Sequence, residues 1–453
     1  MIAINRLRYG LSERLLIALV ASLLLFAIPQ ARAQDCTNNF GDAGIVWTGA
    51  GNSVGIVASN NIGGVGGNLY YFWQKGGTIN WNRELVASSP NGACPTGCAS
   101  GWCVYMPWGW VSNAIAWTDN SLVIAAVNMG DGGIYYFWQA ADTNTWHQGT
   151  VAAGPPNCCE YDHIINGVNY PKILGYSPPS IAWTGRSAVI AACDQQTGDL
   201  HYWYQNKDQT PWHHQLVDKS NNNVGCYSQP SIAWAGTTVV IAAVCNTGGT
   251  SSGLCYYWQL AGTDTWNHQV VSQYACPPSI AWTGQAVVIA ACGPPDYWWQ
   301  EVGTAPWYSQ QILTPQGGNS YIGSAIAAAG NSVVLVGSEV PQVEGTAQLD
   351  YAWAQSPSPQ QIINVPDQPP ASIGGGVSST PVSGAVWTEQ NPGPANYYGT
   401  VDQRSIAWTG NSVIFVSVTL CGDLDYFWQQ AGTTPWHQER IVRNPDWSPG
   451  TCD

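Results

Sequence analysis

Ser405-Ile-Ala-Trp-Thr-Gly410 is followed by an apolar run from Val413 to Val418, by Leu424-Asp-Tyr-Phe-Trp-Gln429 and by Trp436-His437. The same succession recurs along the chain in copies that begin near Gly44, Ala114, Ser180, Ser231, Ser279, Ala325 and Ser405. A repeat with a period of roughly 45–80 residues indicates an array built from one structural unit. The repeat therefore predicts the architecture of the whole chain, whereas a local motif would predict only its own segment.

Each repeat contains four short runs, here named a to d, that are rich in β-branched and aromatic residues. In the third repeat they are Ser180–Trp183, Ala188–Ala192, Leu200–Tyr204 and Trp212–Val217. Turn residues separate the runs, which predicts four β-strands per repeat. Runs a and b carry small residues and runs c and d carry rings, as expected for crowded inner and splayed outer strands. We predict an all-β chain, with residues 34–453 forming one seven-bladed β-propeller of four-stranded antiparallel blades. The alternative is a pair of all-β barrels.

The sixth repeat departs from the pattern, because Ala328 replaces the a-run tryptophan and no d-run tryptophan is recognised after Trp353. We predict that this blade is degenerate. Long inserts are predicted between run d and the next run a, at residues 87–113, 152–179 and 364–404. They bring a second set of rings, which would either pack their own loops or line a binding face: Trp102, Tyr105, Trp108, Trp110, Tyr161, Tyr170, Tyr176, Trp387, Tyr397 and Tyr398.

Residues 1–33 have the pattern of a secretory signal peptide. Basic residues precede an apolar run from Leu15 to Ile28, and Ala31-Arg32-Ala33 offers a small-x-small cleavage site. The run is shorter than the about 20 residues that a membrane-spanning helix needs. We therefore expect a secreted or periplasmic protein with no membrane insertion.

The remaining chain keeps 9 of the 13 basic and 26 of the 27 acidic residues, a net charge of −17. Such an acidic chain repels phosphate backbones, which argues against a nucleic-acid partner. All 14 cysteines lie after residue 33, and an even number in an exported chain predicts a disulfide framework, with no metal and no cofactor. Cys193–Cys226, Cys276–Cys292 and Cys36–Cys452 are the pairs we expect.

Polar residues accompany the repeated rings at fixed positions. A glutamine ends most c runs, and a histidine follows several d-run tryptophans. Sugar recognition combines a ring face with neutral donors and acceptors; the alternative is that these side chains only decorate exposed outer strands. The candidate ligand-binding residues are Gln139, Trp146, His147, Gln205, Trp212, His213, Gln259, Trp266, His268, Gln429, Trp436 and His437.

The c–d hairpin Leu424-Asp-Tyr-Phe-Trp-Gln-Gln-Ala-Gly-Thr-Thr-Pro-Trp-His437 resembles the repeat of secreted bacterial seven-bladed propeller lectins that bind fucose and related sugars. In that family an apolar strand leads through a Gly-Thr turn to Trp-His. Similar turns precede Trp146-His147, Trp212-His213 and Trp266. The resemblance implies several equivalent sugar sites in or between the blades.

Catalysis has little support in the sequence, and no catalytic residue is assigned. The zinc-protease and P-loop motifs are absent. We therefore expect a non-catalytic protein that binds glycans or glycoconjugates. One alternative is a scaffold that binds a protein partner on the insert-bearing face. A third is a glycan hydrolase that uses Glu160 and Asp162, with His163, in the second insert.

Overall fold

The computed structural model describes parts of the chain between residues 39 and 442. The described ranges are 39–49, 53–61, 67–75, 78, 80–89, 109–140, 143, 145–155, 159–165, 168–173, 175–206, 211–220, 225–226, 228–248, 251–259, 263–273, 276–291, 297–300, 302–303, 306–312, 320–329, 332–340, 348–355, 388–390, 399–400, 405–419, 422–430 and 435–442. The predicted signal peptide, Cys36, Cys292 and Cys452 lie outside these ranges, so the predictions on them remain predictions.

Seven antiparallel sheets follow one another along the chain, each with its strands in sequence order. The first three blades are β1 (Asn39–Trp47), β2 (Ser53–Asn61), β3 (Leu69–Lys75) and β4 (Asn82–Ala87); β5 (Trp110–Trp117), β6 (Ser121–Asn128), β7 (Ile134–Ala140) and β8 (His147–Ala152); and β11 (Ser180–Trp183), β12 (Ser187–Cys193), β13 (Leu200–Asn206) and β14 (His213–Asp218). In chain order, the hairpin of β9 (Cys159–Ile165) and β10 (Val168–Ile173) comes between the second and third blades.

The other four blades repeat this arrangement, and the seventh has its innermost strand in two pieces. They are β15 (Ser231–Trp234), β16 (Val239–Gly248), β17 (Ser251–Gln259) and β18 (Trp266–Ser272); β19 (Ser279–Trp282), β20 (Val287–Ala290), β21 (Tyr297–Gln300) and β22 (Tyr308–Gln310); β23 (Ser320–Ala329), β24 (Ser332–Val340), β25 (Gln348–Gln355) and β26 (Thr388–Gln390); and β27 (Gly399–Thr400), β28 (Ile406–Trp408), β29 (Ser412–Thr419), β30 (Leu424–Gln430) and β31 (His437–Val442). The predicted seven-bladed propeller is confirmed.

The core consists of seven buried clusters, each built from two neighbouring blades. One cluster joins the first and last blades, with Ile56 against Val416, and so closes the ring. In the fourth blade Ile241 belongs to the cluster on one side of the sheet and Val240 to the cluster on the other. The second strand of a blade is thus buried on both faces, which explains why the b runs are continuously apolar.

The Ser-Ile-Ala-Trp signature links the innermost strands of adjacent blades. The hydroxyl of Ser180 accepts a hydrogen bond of 3.2 Å from the backbone N–H of Ile232. Ser231 and Ser279 accept the equivalent bonds from the fifth and sixth blades at 3.1 Å. Ser405 instead donates to the carbonyl of Ala43, across the point where the ring closes. The serine of run a therefore links the innermost strands of two neighbouring blades by a hydrogen bond.

The sixth blade is complete, contrary to our prediction. β26 pairs with β25 as its outer strand, and Trp353 faces Thr388 in the register that Trp428 and His437 have in the seventh blade. The residue before β26 is Trp387, which occupies the d-run tryptophan position in the sequence. The range 364–404 is therefore not one insert between run d and run a. The sequence pattern failed because residues 356–387 separate runs c and d, whereas the other repeats have a short turn there.

Two disulfides are present among the described residues. Cys193 bonds to Cys226, as predicted, and ties the end of β12 to the connection that follows β14. The second bond joins Cys245 and Cys255 across β16 and β17, a pair that we did not predict. Cys276 is also disulfide-bonded. The prediction that the chain is disulfide-stapled is confirmed.

Candidate functional site

Glutamine and tryptophan of one blade converge on a side chain of the preceding blade. In the fourth blade, Gln259 Nε2 and Trp266 Nε1 each donate a hydrogen bond of 2.9 Å to Oε1 of Gln215, which lies in β14 of the third blade. We call this three-residue arrangement an interblade clamp. Equivalent clamps are formed by Gln74 and Trp81 on Glu439, by Gln139 and Trp146 on Glu84, and by Gln300 and Trp307 on Gln269.

The clamp acceptor always occupies the same register. Gln215 faces Tyr202 on the neighbouring strand, just as Glu84 faces Tyr71 and Glu439 faces Tyr426. In the sequence it stands three residues after the d-run tryptophan of its own blade. We did not identify these acceptors from the sequence, although the recurring Trp-x-x-Glu/Gln spacing was the signal that could have revealed them.

A ring contact accompanies the clamp. The d-run tryptophan packs edge-on against the tyrosine of the preceding blade that faces the acceptor position. The ring centroids are 4.7–5.5 Å apart and the ring planes meet at 68–76° in the pairs Trp81–Tyr426, Trp146–Tyr71, Trp212–Tyr136, Trp266–Tyr202, Trp307–Tyr256 and Trp436–Tyr351. T-shaped pairs of this kind stabilise a packed interface beyond their buried area. The candidate residues Gln139, Trp146, Gln259 and Trp266 thus hold neighbouring blades together.

The predicted histidines lie apart from the clamps, on the exposed outer strand. His147 stacks on Trp138 at 5.2 Å, His213 on Tyr204 at 4.8 Å and His437 on Trp428 at 3.9 Å, with interplanar angles of 22°, 18° and 12°. Each is a directly opposed cross-strand pair. The imidazoles are exposed and the rings beneath them are half-buried. We call each imidazole with its underlying ring an outer platform.

The remaining blades fill the platform position differently. Asn82 and Asn267 face Trp73 and Trp258 in the first and fourth blades. In the fifth blade Tyr308 stacks on Trp299, and both rings are buried. Outer platforms with an exposed imidazole therefore occur in the second, third and seventh blades. The strand register at this position is the same in the first five blades and in the seventh.

The last two candidate pairs differ from the clamps above. Gln429 is fully buried, and Trp436 contacts Phe415 as well as Tyr351. Gln205 and Trp212 in the third blade meet Gly149 at the register position where other blades have the acceptor, because Gly149 faces Tyr136. The third blade thus has the two donors of a clamp but no acceptor from the second blade.

His268, the remaining candidate, lines a cavity of about 390 Å³ between the third and fourth blades. The cavity also contains Asp218, Lys219 and Tyr257, and the Tyr257 hydroxyl donates a 2.7 Å hydrogen bond to Asp218. Burial, and next the negative charge of Asp218, raise the pKa of Tyr257 far above its usual range. Tyr257 is therefore a hydrogen-bond donor and not a base. Among the described residues that line this cavity, only Asp218 has a carboxylate.

Two inserted rings that we assigned to a possible binding face belong to the packed core or to its edge. Trp110 is the first residue of β5, is 2% exposed, and packs against Tyr135 and Phe137. Tyr176 packs edge-on against His201 and Trp203. Trp102, Tyr105, Trp108, Trp387, Tyr397 and Tyr398 lie outside the described residues, as do the side chains of Tyr161 and Tyr170.

A pair of histidines lies beside Tyr176. The Nδ1 atom of His201 and the Nε2 atom of His214 are 2.8 Å apart, and burial lowers the pKa of both imidazoles. Two neutral rings can share one N–H···N hydrogen bond, so this pair is a packing element at neutral pH. Within the described ranges, no group of three or more His, Cys, Asp or Glu side chains is arranged to hold a metal ion.

Asp425 is a fully buried carboxylate in the seventh blade. Arg440 Nε donates to it at 3.1 Å and also reaches Asp423 through Nη1 at 2.9 Å. Burial raises the pKa of Asp425 to about 6, while the Arg440 charge opposes that rise. The folded protein therefore holds this proton more tightly than the unfolded chain, where the pKa is 3.8.

This difference predicts a pH-dependent loss of stability. The contribution of the Asp425 proton is complete below pH 4 and disappears as the pH rises through 6, a change of about 3 kcal/mol. Urea unfolding between pH 4 and 7 should show that the free energy of unfolding falls by this amount more in the wild type than in Asp425→Asn. Parallel curves for the two proteins would contradict the assignment.

No protein-family model matches the chain, and no curated protein matches it. Among solved structures, the chain is similar to a Mycobacterium tuberculosis puromycin-hydrolysing peptidase (TM-score 0.50, 10% identity), covering 92% of this chain and 55% of the peptidase. It is also similar to the WD40 domain of SCAP from fission yeast (TM-score 0.45, 9% identity, 89% and 84% covered) and to a Trypanosoma rangeli sialidase (TM-score 0.42, 12% identity, 87% and 69% covered). The chain spans about half the length of the peptidase. At 10% identity that similarity concerns the fold alone.

In the described part of the chain, no helix is long and apolar enough to cross a bilayer. Seven blades around a closed ring, with clamps between them, define the class of the protein as a seven-bladed β-propeller. A propeller scaffold hosts many unrelated functions, so function has to be argued from its sites.

Proposed function

We propose that this protein is an exported, non-catalytic carbohydrate-binding protein whose sites are the outer platforms of the second, third and seventh blades. One observation carries the proposal. His147, His213 and His437 are exposed, lie flat on an aromatic ring and occupy the same register in three blades. Packing of the propeller does not require an exposed imidazole there, because Asn82 and Asn267 occupy the same position in other blades.

The chemistry of an outer platform suits a sugar. The C–H face of a pyranose packs on a flat ring, and the imidazole nitrogens can donate to or accept from sugar hydroxyls. Only 9% of the residues are charged, so an uncharged polar ligand fits this surface better than a strongly ionic one. The disulfides also fit an exported chain, because such bonds persist in oxidising compartments.

Three platforms on one ring allow multivalent binding. Shallow single sites bind weakly, but several sites that engage one branched or clustered glycan can raise the overall affinity by about 10²–10⁴. This property suits a repeat protein in which each platform has a small contact area. It also means that loss of all three histidines should have a much larger effect than loss of one.

A hydrolase is less well supported. Glycosidases generally need two carboxylates about 5–10 Å apart, whereas Asp218 is the one carboxylate among the described residues that line the cavity between the third and fourth blades. The side chains of Glu160, Asp162 and His163, our hydrolase candidates in β9, are outside the described part of the structure. Their role stays a prediction.

The test compares two sets of substitutions at the same register. We expect the triple variant His147→Ala, His213→Ala, His437→Ala to lose at least 100-fold in apparent affinity on a glycan array. The double variant Asn82→Ala, Asn267→Ala should bind like the wild type. All the altered side chains except Asn267, which is half-buried, are exposed, so the melting temperatures should stay close to that of the wild type.

Two results would contradict the proposal. Unchanged glycan binding by the folded triple variant would show that the outer platforms are not the sites. A blank array for the folded wild type would favour our alternative, a protein partner on the face that bears the inserts 87–113 and 152–179. The pulldown that follows from that alternative would use a variant with residues 90–108 replaced by a short turn, which leaves β4 and β5 intact.

A further inference from the structure

One interblade position differs from all the clamps described above. Gly149 in β8 faces Tyr136, the register position at which Glu84, Gln215, Gln269 and Glu439 provide the acceptor. No other d run of the chain has a glycine three residues after its tryptophan. The interface between the second and third blades therefore lacks the carbonyl or carboxylate oxygen that completes the other clamps.

Trp212 keeps the ring packing of a complete clamp, and Gln205 keeps the strand register that Gln139 has in one. Trp212 packs on Tyr136 at 5.2 Å and 74°, the geometry of the complete clamps. Within the described part of the chain, neither the Trp212 indole N–H nor the Gln205 amide has a hydrogen-bond partner. Both side chains are partly exposed, as are Gln259 and Trp266 in one complete clamp, whereas Gln139 and Gln300 are buried. The donors are thus accessible to a ligand from solvent.

The structure has room for the missing acceptor. A Cβ atom placed on Gly149 would approach one atom within 4 Å, Cζ3 of Trp138, at an ordinary contact distance of 3.5 Å. Gly149 therefore leaves open the start of the space that a glutamine or glutamate side chain fills at the other interfaces. A ligand group can therefore approach this position without meeting backbone atoms around Gly149.

The charge around this interface favours a neutral acceptor. Two complete clamps use the amide oxygen of glutamine, so an uncharged carbonyl satisfies both donors. Asp119 lies in the a–b turn of the second blade, at the end of the blades where the c–d turns also lie. Its carboxylate accepts a 3.1 Å hydrogen bond from Trp183 of the third blade. With the net charge of the chain at −14, a second carboxylate would be repelled.

We propose that the interface between the second and third blades binds the acetamido group of an N-acetylated amino sugar, whose carbonyl oxygen accepts from Trp212 and Gln205. The acetamido group has the same amide carbonyl as the glutamine side chain that it replaces. This inference rests on the proposed carbohydrate binding, and it adds a site with its own specificity that is separate from the outer platforms. The site is a single one, whereas the platforms are repeated.

The test uses two neutral disaccharides that differ in the acetamido group. The Trp212 indole N–H resonance, assigned with Trp212→Phe, is followed in ¹H–¹⁵N spectra during titration with N,N′-diacetylchitobiose or with cellobiose. We expect the resonance to shift with diacetylchitobiose and to respond at least 10-fold more weakly to cellobiose. An equal response to both sugars, or no response to diacetylchitobiose, would overturn the inference.

Gly149→Gln provides the matched variant, because it supplies the acceptor found in the third and fourth blades. It should raise the melting temperature and reduce the response of Trp212 to diacetylchitobiose at least 10-fold. An unchanged response would overturn the inference. The triple histidine variant separates the two proposals: it should lose array binding and keep the Trp212 response. If array binding depended on the histidines but the Trp212 resonance did not respond to diacetylchitobiose, the proposed function would stand and this second site would be ruled out.

Discussion

Glu84→Ala is expected to lower the free energy of unfolding by about 3 kcal/mol, because three donors lose their acceptor at once. Glu84 accepts from Trp73 Nε1 through Oε1, at 3.1 Å, and from Gln139 Nε2 and Trp146 Nε1 through Oε2, at 2.9 and 3.1 Å. Gln139 is buried, so its amide cannot exchange the lost bond for water at low cost. Urea or guanidinium unfolding measures the change.

Glu84→Gln is the matched control for this prediction. Its amide oxygen can accept from Gln139 and Trp146, as the Gln215 oxygen accepts from Gln259 and Trp266 between the third and fourth blades. Its NH₂ group then faces the Trp73 indole N–H, so one of the three hydrogen bonds is lost. We expect a loss of about 1 kcal/mol. An equal loss for the alanine and glutamine variants would show that the stability comes from packing of the side chain and not from the clamp.

Replacement of both Cys193 and Cys226 by alanine is expected to cost about 3.7 kcal/mol. The bond closes a loop with a sequence separation of 33 residues, and loop closure removes entropy from the unfolded chain in proportion to the logarithm of loop length. It also ties the end of β12 to the connection between the third and fourth blades, beside the cavity that contains His268. The measurement is chemical unfolding without reductant.

The second disulfide provides the comparison. Cys245 and Cys255 are 10 residues apart on strands that are already paired in β16 and β17, so the loop-length argument gives at most about 2.7 kcal/mol. Replacement of both residues by alanine should therefore be the milder change. A larger loss for this pair than for Cys193 and Cys226 would contradict the loop-closure explanation and indicate a role in packing.

The clamps explain why candidate residues with the same sequence pattern differ in whether the preceding blade supplies an acceptor for them. Trp146 and Gln139 look alike in the sequence to Trp212 and Gln205, because each pair belongs to a c–d hairpin with the same spacing. What separates them is the residue that the preceding blade contributes, which is Glu84 in one case and Gly149 in the other. A repeat viewed one copy at a time does not contain that information.

The histidines show the opposite case. The hairpin register of His213 and Tyr204 follows from the short c–d turn, so an opposed pair could be predicted from the sequence once runs c and d were recognised. The same rule failed in the sixth blade. There the turn is replaced by residues 356–387, and the outer strand at Thr388–Gln390 became visible only through its pairing with β25.

The sequence by itself determined the number of blades, the order of the strands and the faces that are buried, because these depend on local β-propensity and on the period of the repeat. It also indicated the Cys193–Cys226 bond from the placement of the two residues at one end of a blade. Only the tertiary structure decided which polar side chains are structural and which remain available. Each clamp bond joins residues that are 31 to 62 positions apart in the chain, or the two ends of the ring. Hydrogen bonds of that kind depend on how the closed ring brings neighbouring sheets together.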